Sequence, residues 1–166
     1  MTETLPERQA WKTPQLLWEG LHEEFGFTKD VAAKEEDAKT SNFIGKDDDA
    51  LRVGWGHGEI CWCNPPYRNV RPWLKKATLE LANRNDTVFI VKAAVGSRWF
   101  HELVMLQAEW WFFSGRVYFE PPPGVTASSP AFDAMLVRYS LGAKPGFMGS
   151  RCPKTGKILV DTQSRD

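Results

Sequence analysis

Apolar residues first recur at helical spacing at Leu16, Leu17, Leu21 and Phe25. Thr13 reads as an N-cap with Pro14 at the first helical position, so the pattern predicts an amphipathic helix running to about Phe25 and closed by Gly26. Residues 27–32 form a short strand candidate, and residues 34–48 are charged, with Phe43 and Ile44 their chief apolar members, as in a loop or a marginal helix. The run Glu59-Ile60-Cys61-Trp62-Cys63 stops at Asn64-Pro65-Pro66-Tyr67, where prolines end ladder hydrogen bonding, so a strand delivers Asn64 to its carboxyl end. After Pro72, Trp73, Leu74, Ala77 and Leu81 mark one helical face, and residues 87–91 are a near-continuous apolar strand of the kind buried on both sides. Strand, helix and strand in that order make a parallel crossover unit.

Ser97 is placed to cap a helix carrying Phe100, Leu103, Val104 and Leu106, and residues 109–113 give another strand. Gly115 marks a turn, residues 116–119 a further extended piece, residues 121–130 a proline-rich loop, and residues 132–139 a final strand. From Gly142 onward, Lys144, Arg151, Lys154, Lys157 and Arg165 against Asp161 and Asp166 read as a basic C-terminal tail. Alternating strands and helices with buried-type strands predict a three-layer α/β sandwich over residues 11–141, preceded by a flexible residue 1–10 segment. In such sheets ligands bind beyond the carboxyl ends of strands, which is where Asn64 falls.

The 166 residues, 42% of them hydrophobic, fit one domain with a substantial core. The 21 basic and 21 acidic residues cancel, so any basic face for a polyanion must be local. No run approaches the ~20 apolar residues of a membrane span, and the polar start lacks the apolar core of a secretory signal; both point to the cytoplasm. Cys61 and Cys63, two apart in a strand, share one face, and with Cys152, His22, His57 and His101 they match no recognised zinc spacing. Reduced, packed thiols are the better account, and no metal is expected.

Asn-Pro-Pro-Tyr at a strand end is the most specific feature of the chain. Around it, in order, stand Trp11-x-Thr13-Pro14, Phe25-Gly-Phe27 leading into Asp30-Val-Ala-Ala33, Asp49-Ala-Leu51 with Trp55, Trp73, Trp99-Phe-His101, Gly115-Arg116 with Phe119, and Phe132-Asp133. Over roughly residues 11–140 this set resembles the small phage-type DNA adenine methyltransferases of the Dam group. The resemblance implies a minimal Rossmann-like methyltransferase sandwich, mostly parallel with an antiparallel final strand. It implies methylation of the exocyclic N6 amine of adenine in DNA, with S-adenosylmethionine as donor.

The residue types suit that chemistry. An adenine amine is a weak nucleophile because its lone pair is delocalised into the ring, so two acceptors aimed at its two hydrogens would present it for attack. The Asn64 side-chain oxygen and the Pro65 carbonyl are the candidates, stiffened by Pro65 and Pro66. No strong general base is needed beforehand, which makes the task one of positioning and electrostatics. A base inside a duplex must be flipped out, or the DNA must be single-stranded, and Tyr67 would stack on the exposed ring. On their own, these four residues also read as a rigid proline turn.

The resemblance places Asp30 at a first-strand acidic position that meets the donor's ammonium and Asp49 where the donor's adenine amine is faced. Thr13, Pro14 and Ala32 complete the expected donor pocket. Asp30-Val-Ala-Ala33 lacks the glycine-rich turn of larger methyltransferases. Arg68, Arg71, Lys92, Arg98 and Arg116 are candidate phosphate contacts, while Trp73 and Trp99 are placed nearer the site than Trp62, Trp110 and Trp111, which sit in strand-like runs. Residues 34–48, 114–130 and the basic tail are the segments free to read bases, so a short or relaxed recognition sequence is expected. RNA adenine or protein glutamine as methyl acceptor, and a DNA- or partner-binding pseudoenzyme, are the alternative readings.

Overall fold

The computed structural model describes residues 11–124, 126 and 132–164; the N-terminal ten, expected to be flexible, lie outside them. Helix α1 (Gln15–Phe25) is followed by β1 (Lys29–Asp30), β2 (Ile60–Cys63), α2 (Arg71–Glu80), β3 (Asp86–Lys92) and a π turn over Phe100–Val104. Strands β4 (Glu109–Phe113), β5 (Ala134–Tyr139), β6 (Gly146–Arg151) and β7 (Ile158–Asp161) complete one seven-stranded sheet in the order β1-β2-β3-β5-β4-β6-β7.

The sheet is mixed rather than mostly parallel: β1–β2, β2–β3 and β4–β6 pair parallel, while β3–β5, β4–β5 and β6–β7 pair antiparallel. Because β5 opposes both β3 and β4, strands β1, β2, β3, β4 and β6 all point one way. Their carboxyl ends gather Asp30, Asn64, Lys92 and the chain after Phe113 along one edge. The antiparallel strand read as final, β5, is instead interior, and β6 and β7 follow it. Residues from Gly142, read as a tail, carry both added strands.

Alternation along the strands sorts the core into two faces. Cys61, Cys63, Phe89, Val91, Met135 and Val137 meet α2 and the π turn through Leu74, Ala77, Phe100 and Val104. Trp62, Val88, Ile90, Trp111 and Leu136 meet α1 through Leu17, Trp18 and Leu21. Cys61 and Cys63 share a face as their spacing requires, and burial pushes the Cys61 thiol up to about 12 and Cys63 well above its ordinary value.

Several local readings shift. Pro14, not Thr13, is the N-cap of α1, and its carbonyl accepts from the Trp18 N–H at 3.0 Å. Gly26 closes the helix in the left-handed region at φ 70°, as a C-terminal glycine does. The strand expected over residues 27–32 shrinks to Lys29–Asp30, and residues 34–48 contain turns and bends with no helix. Ser97 does contact the Phe100 N–H, at 3.4 Å, but the helix it opens is reduced to a single π turn.

The β6–β7 hairpin is clamped onto α1. Arg151, fully buried, donates to both carboxylate oxygens of Glu24 at 2.6 and 2.9 Å and to the Gly156 carbonyl at 2.9 Å. Its guanidinium carbon lies 4.5 Å from the Trp111 ring centroid. Gly20, in mid-helix, permits the approach: a Cβ there would stand 1.8 Å from the Thr155 carbonyl oxygen. Among the described residues no helix is long and apolar enough to cross a membrane.

Candidate active site

Asn64 leaves the end of β2 with both halves of its amide engaged. Its Nδ2 donates to the Trp11 carbonyl at 2.9 Å, and its Oδ1 accepts from the Tyr67 hydroxyl at 2.9 Å. A flipped amide would set its oxygen against the Trp11 carbonyl, acceptor against acceptor, so these two bonds fix which way the side chain points. An amide oxygen has two lone pairs, and Tyr67 takes one, leaving the other for a second donor. Pro65 is buried, and no backbone hydrogen bond among the described residues takes up its carbonyl.

Tyr67, expected to stack on the exposed base, packs against two other aromatic rings. Its ring stands edge-on to Phe132 at 4.9 Å and to Phe119 at 5.6 Å between centroids. Burial pushes its phenol well above the ordinary value, so the hydroxyl stays protonated and acts as a donor to Asn64.

Asp30 ends β1, the neighbouring strand. Its carboxylate accepts from the Ala32 N–H at 3.2 Å and from the Lys39 N–H at 3.0 Å. Burial outweighs these two bonds and lifts its pKa from the ordinary 3.8 to about 6. Thr13, whose buried hydroxyl has no hydrogen-bond partner, lines a cavity of about 60 Å³ together with Asp30, Asn64 and Lys39. An unpartnered buried hydroxyl and a buried carboxylate thus belong to residues of one polar cavity.

A second cavity, of about 320 Å³, is lined by Asp49, Pro66 and Trp73 and shares Ala32, Lys34 and Asn64 with the first. Asp49 accepts from the Leu51 N–H at 3.1 Å and pairs with Arg52 at 3.2 Å. The structure therefore brings Thr13, Asp30, Ala32 and Asp49 to adjoining cavities around Asn64, and leaves Pro14 as the cap of α1.

On the Tyr67 side, Arg68, Arg71, Lys92 and Trp99 surround a cavity of about 100 Å³. Arg68 and Lys92 are exposed, and the Lys92 ammonium lies 5.1 Å from the Phe132 ring centroid. Arg71 is engaged by Glu102 at 2.6 Å, and Arg98 approaches the same carboxylate at 3.9 Å, so this pair is partly neutralised. Arg116 is exposed beyond β4. Trp73 and Trp99 both border the site, while Trp62 and Trp111 are core.

Two participants had no expected site role, although Trp11 belongs to the family-like pattern. Trp11 acts through its backbone carbonyl, and no side-chain pattern reports that. Lys39 lies in a charged loop whose composition reads as solvated, yet its N–H holds Asp30 and its ammonium donates to Gln15 at 2.9 Å.

A family model described as DNA N-6-adenine-methyltransferase (Dam) matches residues 2–137. The DNA N-6-adenine-methyltransferase of Haemophilus phage HP1 (strain HP1c1) is 32% identical over 97 residues, covering 57% of this chain and 56% of that protein. The DNA N-6-adenine-methyltransferase of Escherichia phage T1 is 29% identical over 103 residues, 61% of this chain and 43% of that protein. The chain thus spans about half the length of these curated relatives. No solved structure matches it.

Proposed function

The chain belongs to the DNA N-6-adenine-methyltransferase (Dam) family, and on that premise we propose that it methylates the N6 amine of adenine in DNA, using S-adenosylmethionine. The observation that carries the reading is the amide of Asn64. With Nδ2 held by Trp11 and one lone pair of Oδ1 held by Tyr67, the remaining lone pair and the neighbouring Pro65 carbonyl form a rigid pair of acceptors. Two acceptors suit the two hydrogens of a planar amine, and holding both turns the nitrogen lone pair out of conjugation with the ring. Tyr67 is then a positioning residue whose hydroxyl orients Asn64. No basic side chain is required, since the amine's proton becomes acidic once the nitrogen carries the new bond.

The residues present fit the donor. Above pH 6 the Asp30 carboxylate is ionised and, with the unpartnered Thr13 hydroxyl, would receive an ammonium in the smaller cavity. Asp49 and Trp73 would border the adenosine in the larger one, with Ala32 between the two. When bound, S-adenosylmethionine supplies an electrophilic methyl group on a sulfonium sulfur. The fold is then a minimal Rossmann-like methyltransferase sandwich, supported by five aligned strands with helices on both faces and a site at their carboxyl edge.

The DNA would approach the same edge, with Arg68, Lys92, Arg98 and Arg116 reaching phosphates and the adenine flipped from a duplex or taken from a single strand. The cytoplasm of an infected bacterium is the proposed setting, a reading supported by the phage origin of the relatives. The test is to incubate the protein with unmethylated DNA and methyl-labelled S-adenosylmethionine, digest to nucleosides and identify the labelled product. N6-methyladenine is expected, and Asn64→Ala should abolish it while calorimetry still reports donor binding. Label on another nucleoside, or loss of donor binding by a folded Asn64→Ala protein, would refute the assignment.

A further inference from the structure

The segment between β4 and the proline-rich loop is an extended strap rather than a sheet strand. Residue 120 closes it with a reciprocal backbone pair to Lys12, both hydrogen bonds 2.9 Å, one residue from the Trp11 carbonyl that holds Asn64. Val117 and Phe119 turn inward and are buried, and Phe119 contacts Tyr67. Alternation therefore sends Arg116 and Tyr118 outward together.

Tyr118 is 68% exposed, well beyond the next most exposed aromatic among the described residues, Phe147 at 38%. A single exposed aromatic is ordinary on a protein surface. This one differs in where it is held. It is adjacent in sequence to the ring that packs on Tyr67, on a backbone pinned to the segment that orients Asn64, and it shares its outward face with an arginine. Its ring is presented without the ordering cost that a mobile loop would incur on binding.

Resting on the function proposed above, we propose that Tyr118 is a DNA-contacting residue that stacks on the bases beside the target adenine and stabilises the opened duplex. A flipped adenine leaves neighbours with an exposed face, and a flat amphipathic ring is the side chain that covers such a face. Arg116, two residues earlier on the same side, would take a flanking phosphate. The role is needed for a paired target and is dispensable for a target already unpaired.

The test uses the methylated site, mapped first with the wild-type protein, in two oligonucleotides: a duplex with the target paired, and the single strand. Tyr118→Ala should lower kcat/KM on the duplex by roughly 5- to 150-fold, the range one base–aromatic stack carries, and far less on the single strand. Tyr118→Phe and Tyr118→Trp should restore the duplex activity. A duplex with 2-aminopurine at the target should gain fluorescence with wild-type protein and much less with Tyr118→Ala. Equal losses on both substrates, or an unchanged duplex rate with an unchanged fluorescence gain, would overturn this role alone. Failure of the wild-type protein to methylate any DNA would overturn the function itself and this role with it.

Discussion

Asparagine at position 30 would keep the size of the aspartate and one acceptor while removing its charge, and that separates what the residue does for stability from what it does for binding. Asp30 is 4% exposed, and its pKa stands at about 6 in place of 3.8. The folded state therefore holds a proton that the unfolded chain has released between about pH 4 and pH 6. Unfolding free energy falls as pH rises through that window, and the whole penalty is present above it. At about 1.4 kcal/mol per pH unit, keeping the ionised form costs the folded state about 3 kcal/mol. Asparagine avoids this but has a single oxygen, so either the Ala32 or the Lys39 N–H loses its partner, at about 1 kcal/mol.

Asp30→Asn should therefore stabilise the protein by about 2 kcal/mol at pH 8, a gain that vanishes by about pH 4. Urea unfolding of both proteins at several pH values reads this directly. Isothermal calorimetry should show the opposite trend for function: wild-type affinity for S-adenosylmethionine falling as pH drops below 6, and Asp30→Asn weak throughout. A variant less stable at pH 8 would mean that the local N–H groups outweigh desolvation. Unchanged donor affinity would remove Asp30 from the site.

Tyr67→Phe should lower kcat about 3- to 10-fold with little change in KM for DNA, because it frees the Asn64 oxygen from a hydrogen bond of about 1 kcal/mol without removing the ring that packs on Phe119 and Phe132. Steady-state kinetics on a mapped site would read both parameters, and a fall confined to affinity would contradict an orienting role. Arg151→Ala should destabilise by about 2–4 kcal/mol in denaturant unfolding, through the lost bonds to Glu24 and Gly156 and the space left against Trp111. A loss under about 0.5 kcal/mol would show that the β6–β7 hairpin does not hold α1 in place. Genome-wide mapping of methylated adenines should return a short or relaxed sequence, because residues 34–48 border the cavities around Asn64 and β6 and β7 are committed to the sheet. A strict motif of six or more base pairs would contradict that.

Where side-chain pattern and structure speak the same language, the chain is readable. The apolar runs of β2, β3 and β5 announce buried strands, and Pro65 and Pro66 mark where β2 must release Asn64. Strands β6 and β7 offer no such pattern. Gly146 and Gly149 break the alternation of β6, the latter because a Cβ would stand 1.8 Å from the Val160 carbonyl oxygen, and every residue of β7 is exposed. The hairpin is held through Arg151 and through a glycine in α1, and those contacts join residues over a hundred positions apart. Backbone contributions are equally silent in sequence, which is why Trp11 was invisible as the group that orients Asn64.

Thr13 shows why a local misreading and a functional residue coincide. Thr-Pro before an apolar stripe has the pattern of a capped helix, and with the threonine as cap its hydroxyl would be spent on the first turn. Pro14 takes the cap position without any side-chain bond, and the Thr13 hydroxyl is left buried and unpartnered, on a residue that lines one cavity with Asp30. Asp30 likewise sits as a carboxylate where burial disfavours its charge. Burial of each costs the fold stability, and at Asp30 the Ala32 and Lys39 N–H groups offset that cost only in part. On the function proposed above, a ligand carrying an ammonium group would meet the Asp30 carboxylate in the cavity that Thr13 also lines, so the same binding event would relieve a cost the fold carries alone.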